Sequence, residues 1–220
     1  MTKALLFDFD GTLFETGPGV TNCVKYALDK LGISESDASR LRKFIGPPLF
    51  DSFRELYGFD ENTANEAVRL YRERYQPVGI WECAPYPGIP ELIQALKSDG
   101  WTLAVATGKP TPSAKRILER YQMDQLFDFI CGSEFDGTRS KKYEVVAAVL
   151  ERFQLSETPT QALMIGDRKY DVLGSARCGV PCLGVQYGYP EPGELEAAGA
   201  IAVVDTVEEL GNYLRQLNRN

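Results

Sequence analysis

The residues able to do chemistry stand at the ends of apolar runs. "KALLFDFDGTLFET" (3–16) carries Asp8 and Asp10 two residues apart and then turns at Gly11-Thr12. Two carboxylates at the end of a buried strand repel each other and lose hydration. A fold keeps them only with a cation, a hydrogen-bond network or a purpose. "TLAVATGK" (102–109) ends in Thr107, Gly108 and Lys109, and "ALMIGD" (162–167) ends in Asp167, with Asp171 four residues on. Alternate strand residues share a face, so Asp8 and Asp10 begin on one side, and Asp167 from another strand end can join them. Singly, each Asp reads as a helix cap or turn residue. Together, without any histidine in the chain, they suit a hard divalent cation with oxygen ligands, Mg²⁺ foremost.

Beside such a cation Asp8 can attack an electron-poor centre, and phosphorus suits best because the metal also offsets the charge of an incoming phosphate. Asp10 can then protonate the leaving oxygen and later take a proton from water. Thr107, through its hydroxyl and the backbone N–H groups that follow at Gly108, can hold phosphoryl oxygens. A lysine should complete the pocket, and "RSKKYEVVAAVLERF" (139–153) offers Lys141 and Lys142 at a helix start. Positions 142, 145, 146, 149 and 153 form one stripe, headed by Lys142 and continued by Val145, Val146, Val149 and Phe153. That spacing favours Lys142 as the inward cation and leaves Lys141 beside Glu144 and Arg152 on a solvated flank. A lysine at a helix N-terminus opposes the dipole, so an anion is expected near it.

The bulk of the sequence narrows the choice of partner. The 220 residues carry 24 Lys and Arg against 31 Asp and Glu, a net charge of −7, with no basic stripe. Phosphate-tracking surfaces need clustered cations, so a nucleic-acid polymer is not expected, whereas a small phosphorylated metabolite needs only one or two. No apolar run approaches the ~20 residues of a membrane span. The chain reads straight into a strand without signal-peptide features, and a cytoplasmic location is expected. Cys23, Cys83, Cys131, Cys178 and Cys182 form no CxxC and read as small packing residues in a reducing compartment. The absence of histidine removes Ser-His and Cys-His catalysis, histidine acids and histidine ligands.

These residues need elements to hold them. Runs at 4–10, 102–107, 127–132, 162–167, 181–186 and 200–205 are β-rich, several of them nearly continuous in apolar residues, as in strands buried on both faces. Helical patterns at 111–122, 142–154, 169–177 and 206–218 alternate with the later runs, which predicts an α/β, Rossmann-like, doubly wound parallel sheet. Ligands of such sheets bind at the carboxyl ends of the strands, where all the residues above fall. Roughly ninety residues separate the first two long runs, and most of them read as helix. Pro18 suits a helix start before 19–32, and 61–76 is amphipathic with Ala64, Ala67, Val68, Tyr71 and Tyr75 on one side. "GPPL" (46–49) marks a tight loop, and "CAPYPGIPEL" (83–92) a hinge followed by a helix start. The expected organisation is an all-helical cap at 16–84 inserted into a core formed by 1–15 and 85–220.

In order and spacing these motifs resemble the haloacid dehalogenase superfamily. "DFDGT" (8–12) is similar to its first motif, Thr107 in "VATGK" to its second, Lys142 to its third and "GDRKYD" (166–171) to its acidic fourth. The helical insert resembles the C1-type cap. The resemblance implies Asp8 as a nucleophile forming an aspartyl-phosphate and Asp10 as general acid/base. It implies Mg²⁺ on Asp8, the Asp10 carbonyl and Asp167, with Asp171 supporting that shell or replacing a ligand. Thr107 and Lys142 would steady the phosphoryl group.

"FIGPPLFDSF" (44–53), "YPGIPELIQAL" (86–96), "GDRKYDVLGSA" (166–176) and "GVQYGYP" (184–190) look most like phosphoglycolate-phosphatase-like proteins, within a 5′-nucleotidase-like branch. On that likeness the loop at Gly46 helps choose substrate, and Arg42, Lys43 and Arg54 nearby read either as solvated helix charges or as anion contacts. Glu15 stands where relatives usually carry Asp, and Tyr170 where the branch often has His. The expected protein is a Mg²⁺-dependent phosphomonoesterase for a phosphoglycolate-like molecule or a 5′-nucleotide. A phosphomutase of the β-phosphoglucomutase type and a non-catalytic phospho-ligand binder are the alternatives. A monomer is expected, with a homodimer as the other choice.

Overall fold

The computed structural model describes residues 3–217. In chain order the elements are β1 (Ala4–Phe7), β2 (Phe14–Glu15), α1 (Gly17–Lys30), α2 (Ala38–Arg42), α3 (Leu49–Tyr57), α4 (Glu61–Tyr75), β3 (Ala84–Pro85) and α5 (Ile89–Ser98). There follow β4 (Thr102–Pro110), α6 (Thr111–Arg120), β5 (Phe129–Ser133), α7 (Lys142–Arg152), β6 (Ala162–Gly166), α8 (Lys169–Arg177), β7 (Cys182–Val185), α9 (Glu194–Ala198), β8 (Ala202–Val204) and α10 (Val207–Leu217). They fall into two compact units, Met1–Phe14 with Pro85–Asn220, and Glu15–Ala84.

The first unit is built on a six-stranded parallel sheet in the order β5-β4-β1-β6-β7-β8. β1 lies between β4 and β6, with Phe7 level with Val105 on one side and Ile165 on the other. A central strand has no wet face, which is why "ALLF" is apolar throughout and fully buried. Ala4 and Leu6 pack with Val145, Val146 and Val149 of α7 and with Val172 of α8. Leu5 and Phe7 therefore face the opposite side, where Phe7 meets Phe127 edge-on at 6.4 Å. Each such side chain withdrawn from water contributes roughly 1.5–3 kcal/mol.

Two strand ends differ from the sequence-based expectation, and both matter to the site. The first strand closes at Phe7 rather than at residue 10. The Asp8 N–H still bonds the Ile165 carbonyl at 2.9 Å, but the Phe9 carbonyl then accepts from Leu13 at 3.0 Å and Phe14 at 2.9 Å, folding the chain back. The second long strand runs to Pro110 rather than to Thr107, through a bulge: regular pairing with β5 stops at Ala106–Cys131 and resumes at Pro110–Ser133.

The second unit is helical. In α4 the buried face is Ala64, Ala67, Leu70, Tyr71 and Tyr75, with Val68 at its margin. Asp60 caps that helix by accepting the Thr63 N–H at 2.7 Å. Arg74 of α4 forks onto Glu82 at 2.8 and 2.9 Å. "GPPL" does separate two helices: Gly46 takes φ +106°, and Pro48 immediately precedes α3. Glu15, the departure noted in the sequence, accepts the Gly17 N–H at 2.9 Å and so serves the start of α1. None of the five cysteines is in a disulfide bond, and three of them are buried. Among the described residues no helix is long and apolar enough to cross a membrane.

Candidate active site

The parallel register sets the site. Asp8 follows β1 and Asp167 follows β6, both at carboxyl ends of adjacent strands. Asp171 enters on the first turn of α8, where its Oδ2 accepts the Arg168 N–H at 3.1 Å. One carboxylate oxygen from each of Asp8, Asp167 and Asp171 lies within 4.8 Å of the others, and all three residues are buried. Between two of them stands Lys142, the first residue of α7. Its Nζ lies 2.7 Å from Asp8 Oδ1 and 2.7 Å from Asp171 Oδ1, and it bonds the Ala106 carbonyl at 3.1 Å. Lys141, the neighbour that the helical stripe set aside, is exposed.

Glycines make this crowding possible. A Cβ on Gly11 would collide with the Asp167 carboxylate, and Gly11 also takes φ +82° in the turn after the strand. A Cβ on Gly174, one turn along α8, would lie 2.6 Å from Lys142 Cβ, so the lysine stem is seated on bare helix backbone.

The charges do not balance. Burial is the main force lifting Asp8 to about 6, with Asp171 and Asp10 adding to it and Lys142 opposing it. Burial, then the charges of Asp171 and Asp8, push Asp167 well above the carboxylate range. Burial works against the Lys142 ammonium, but Asp171 and Asp8 outweigh it and keep the lysine charged beyond its usual range. Lys142 pairs with two of these buried acids, Asp8 and Asp171, while Asp167 accepts from Thr12 and the Tyr189 N–H. An all-oxygen donor set with surplus negative charge fits a hard divalent cation such as Mg²⁺.

Asp10 is held apart from this cluster. Lys109 Nζ lies 2.8 Å from Asp10 Oδ1 and 3.1 Å from Oδ2, with 5 % of the lysine side chain exposed. Thr107 is buried, next in chain to the Ala106 carbonyl that Lys142 bonds, and its Oγ1 accepts the Lys109 N–H at 3.1 Å. Gly108 is exposed at the bulge. Asp8, Asp167, Asp171 and Lys142 are therefore in direct array, with Thr107 and Asp10 adjoining. Arg42, Lys43 and Gly46 are exposed residues of the helical unit, at the end of α2 and in the bend after it.

Several neighbours had no role assigned from the sequence. Lys109 was visible only as a lysine two places after Thr107; its inward aim depends on the bulge. The Tyr189 N–H bonds Asp167 Oδ2 at 2.8 Å, and Thr12 Oγ1 donates to Asp167 Oδ1 at 3.3 Å. Tyr187 donates to the Thr12 carbonyl at 3.0 Å and packs edge-on against Tyr86 at 5.0 Å. Glu194 of α9 accepts the Lys169 N–H at 2.7 Å and the Arg168 Nε–H at 3.0 Å, bracing the loop that carries Asp167.

The model of the haloacid dehalogenase-like hydrolase family matches residues 5–185. The chain belongs to that family. A 5′-nucleotidase of Pseudomonas aeruginosa is 48% identical over 88% of this chain and 86% of its own length. A phosphoglycolate phosphatase of Aquifex aeolicus is 31% identical over 85% of this chain and 86% of its own. The crystal structure of a predicted phosphatase from Clostridium acetobutylicum superposes with a TM-score of 0.94 at 42% identity, covering 98% of this chain and 99% of the other. By these likenesses the chain is an enzyme of the phosphoric monoester hydrolase type.

Proposed function

We propose that the enzyme removes the phosphoryl group of a small phosphomonoester by way of a phosphorylated Asp8, with Mg²⁺ as cofactor. The observation that carries this reading is the cluster of Asp8, Asp167 and Asp171 at the carboxyl edge of the sheet, with the Lys142 ammonium paired to Asp8 and Asp171. Asp8, Asp167 and Asp171, with the Asp10 carbonyl, would hold the cation. When bound, it supplies the positive charge that lets a phosphate dianion approach a carboxylate.

The remaining work falls to side chains. Asp8 attacks phosphorus, the bond to the ester oxygen breaks, and the alcohol leaves with a proton from Asp10. A water then gives a proton to Asp10 and attacks the same phosphorus, releasing inorganic phosphate and restoring the Asp8 carboxylate. Lys142 holds Asp8 Oδ1, leaving Oδ2 to attack. Thr107 and the Gly108 N–H are assigned to the phosphoryl oxygens. A phosphoglycolate-like molecule or a 5′-nucleotide is the substrate class favoured by the likeness to a phosphoglycolate phosphatase and a 5′-nucleotidase.

The test is phosphate release across a phosphomonoester panel with Mg²⁺, with Asp8→Asn as control. Release by the wild type alone, strongest on a nucleotide or a two-carbon phosphate, is expected. Equal release by Asp8→Asn contradicts the nucleophile, and an isomerised sugar phosphate in place of free phosphate contradicts hydrolysis.

A further inference from the structure

Lys109 has no part in the steps above, yet its placement is costly. An ammonium with 5 % of its side chain exposed loses most of its hydration, and a buried charge must be paired. The pairing is with both oxygens of Asp10, in unequal ways. Oδ2 accepts a hydrogen bond at 3.1 Å. Oδ1 lies closer, 2.8 Å from the same nitrogen, and is buried.

The lysine is also aimed, rather than merely long enough to reach. The bulge at 107–109 is fixed from β5, where Ser133 Oγ donates to the Gly108 carbonyl at 2.7 Å. A Cβ on Gly132 would strike the Lys109 carbonyl, so the two backbones are in contact there. The Phe9 ring flanks the ammonium at 5.4 Å. Bulges of this kind re-aim a side chain beside an active site. Lys142, by contrast, is committed to Asp8 and Asp171. Each aspartate of the "DFD" pair has its own lysine.

We infer that Lys109 is a positioning residue for Asp10: it holds the carboxylate from one side and so fixes the direction in which Asp10 carries the proton to and from the reacting centre. A carboxyl group otherwise turns easily about its terminal bond, over a broad two-fold range. A proton offered in one direction is worth more than one offered in many, because misplacement of a reacting group by about an ångström can cost 10²-fold. The inference rests on the hydrolase reading and on Asp10 as its acid.

The test compares an alkyl phosphomonoester with 4-nitrophenyl phosphate in wild type, Lys109→Met, Lys109→Arg and Asp10→Asn. A nitrophenolate leaves without help, whereas an alkoxide needs the acid. Lys109→Met should lower kcat/KM for the alkyl ester by about tenfold or more beyond its effect on the aryl ester, within the 10²–10⁴-fold reach of general acid catalysis. Lys109→Arg should restore part of that loss. In an Asp10→Asn background, Lys109→Met should have no further selective effect. The ratio of the two esters does not depend on how much of a variant is folded.

An unchanged ratio in Lys109→Met overturns the inference, as does a selective loss that persists when Asp10 is already Asn. An unchanged ratio in Asp10→Asn overturns Asp10 as the acid. A wild type inert on both esters overturns the hydrolase reading itself, and the inference with it.

Discussion

Lys142 and Asp8 meet at 2.7 Å across 134 residues of sequence, one from the start of α7 and the other from the end of β1. The contact is buried, and Lys142 also neutralises Asp171. Removing one member of a buried pair leaves uncompensated charge, at a cost of about 3–5 kcal/mol. Lys142→Met is expected to lose stability in that range in chelator-treated protein at neutral pH, measured by urea denaturation, and to lose turnover. A loss below 1 kcal/mol would show that the acids already share a proton and need no ammonium.

Gly174→Ala sets two effects against each other. Alanine in place of glycine inside a helix favours the helix by up to about 1 kcal/mol. The new methyl would stand 2.6 Å from Lys142 Cβ, and overpacking costs about 1–3 kcal/mol. The clash should win: a lower melting temperature and a fall in kcat larger than any rise in KM. A stabilised variant with full kcat would show that the lysine stem moves freely.

Asp8 gives a pH test with a definite sign. Its folded pKa is raised to about 6, so its contribution to stability is full at low pH and is lost as pH rises through 6. Asn at this position carries no charge at any pH. Without metal, Asp8→Asn should melt above wild type at pH 7.5, by a difference on the order of a few kcal/mol, and the gap should narrow below pH 6 and largely close only near pH 4, the ordinary carboxylate range. It should also be inactive. A gap that is the same at both ends of that range contradicts the burial-driven shift.

Mg²⁺ should raise the melting temperature of the wild type, because a ligand that binds only the folded chain stabilises it by about 4 kcal/mol at a thousand times its Kd. Chelator should reverse this. Asp167→Asn removes a proposed ligand at a fully buried position and should abolish most of the rise. A Mg²⁺-induced rise of equal size in that variant would exclude Asp167 from the metal site.

Arg42 and Lys43 are the helical unit's proposed contacts to the anionic end of the substrate. Arg42→Ala and Lys43→Ala should each raise KM by about tenfold with kcat unchanged, the signature of lost uniform binding. Steady-state kinetics on the best substrate of the panel decides it, and an unchanged KM in both removes them from substrate recognition.

What could be read in the sequence was what depends on short-range pattern. "ALLF" and "ALMIG" are buried on both faces and read as parallel strands because nothing polar interrupts them; the acids after them then fall at the sheet's carboxyl edge. Lys142 was separable from Lys141 because a helix repeats every 3.6 residues and the valines below it mark the inward face. The contacts that escaped notice are those set by pairing over distance. Lys109 reaches Asp10 only because β4 slips register against β5, a fact that no local propensity records. The backbone N–H that bonds Asp167 comes from Tyr189, 22 residues on, and a main-chain donor leaves no mark in side-chain pattern. β1 ends early because the Phe9 carbonyl is taken by the turn that follows, although its residues favour a strand.

The central claim is that Asp8 carries the phosphoryl group. Enzyme mixed with its best substrate and Mg²⁺, quenched in acid and treated with borohydride should contain homoserine at position 8, since an acyl phosphate is reduced there and a free carboxylate is not. Peptide mass mapping reads this directly. Homoserine at position 8, dependent on substrate, is the predicted result. Turnover that continues with Asp8 unmodified at every quench time, or homoserine at another aspartate, would contradict the account.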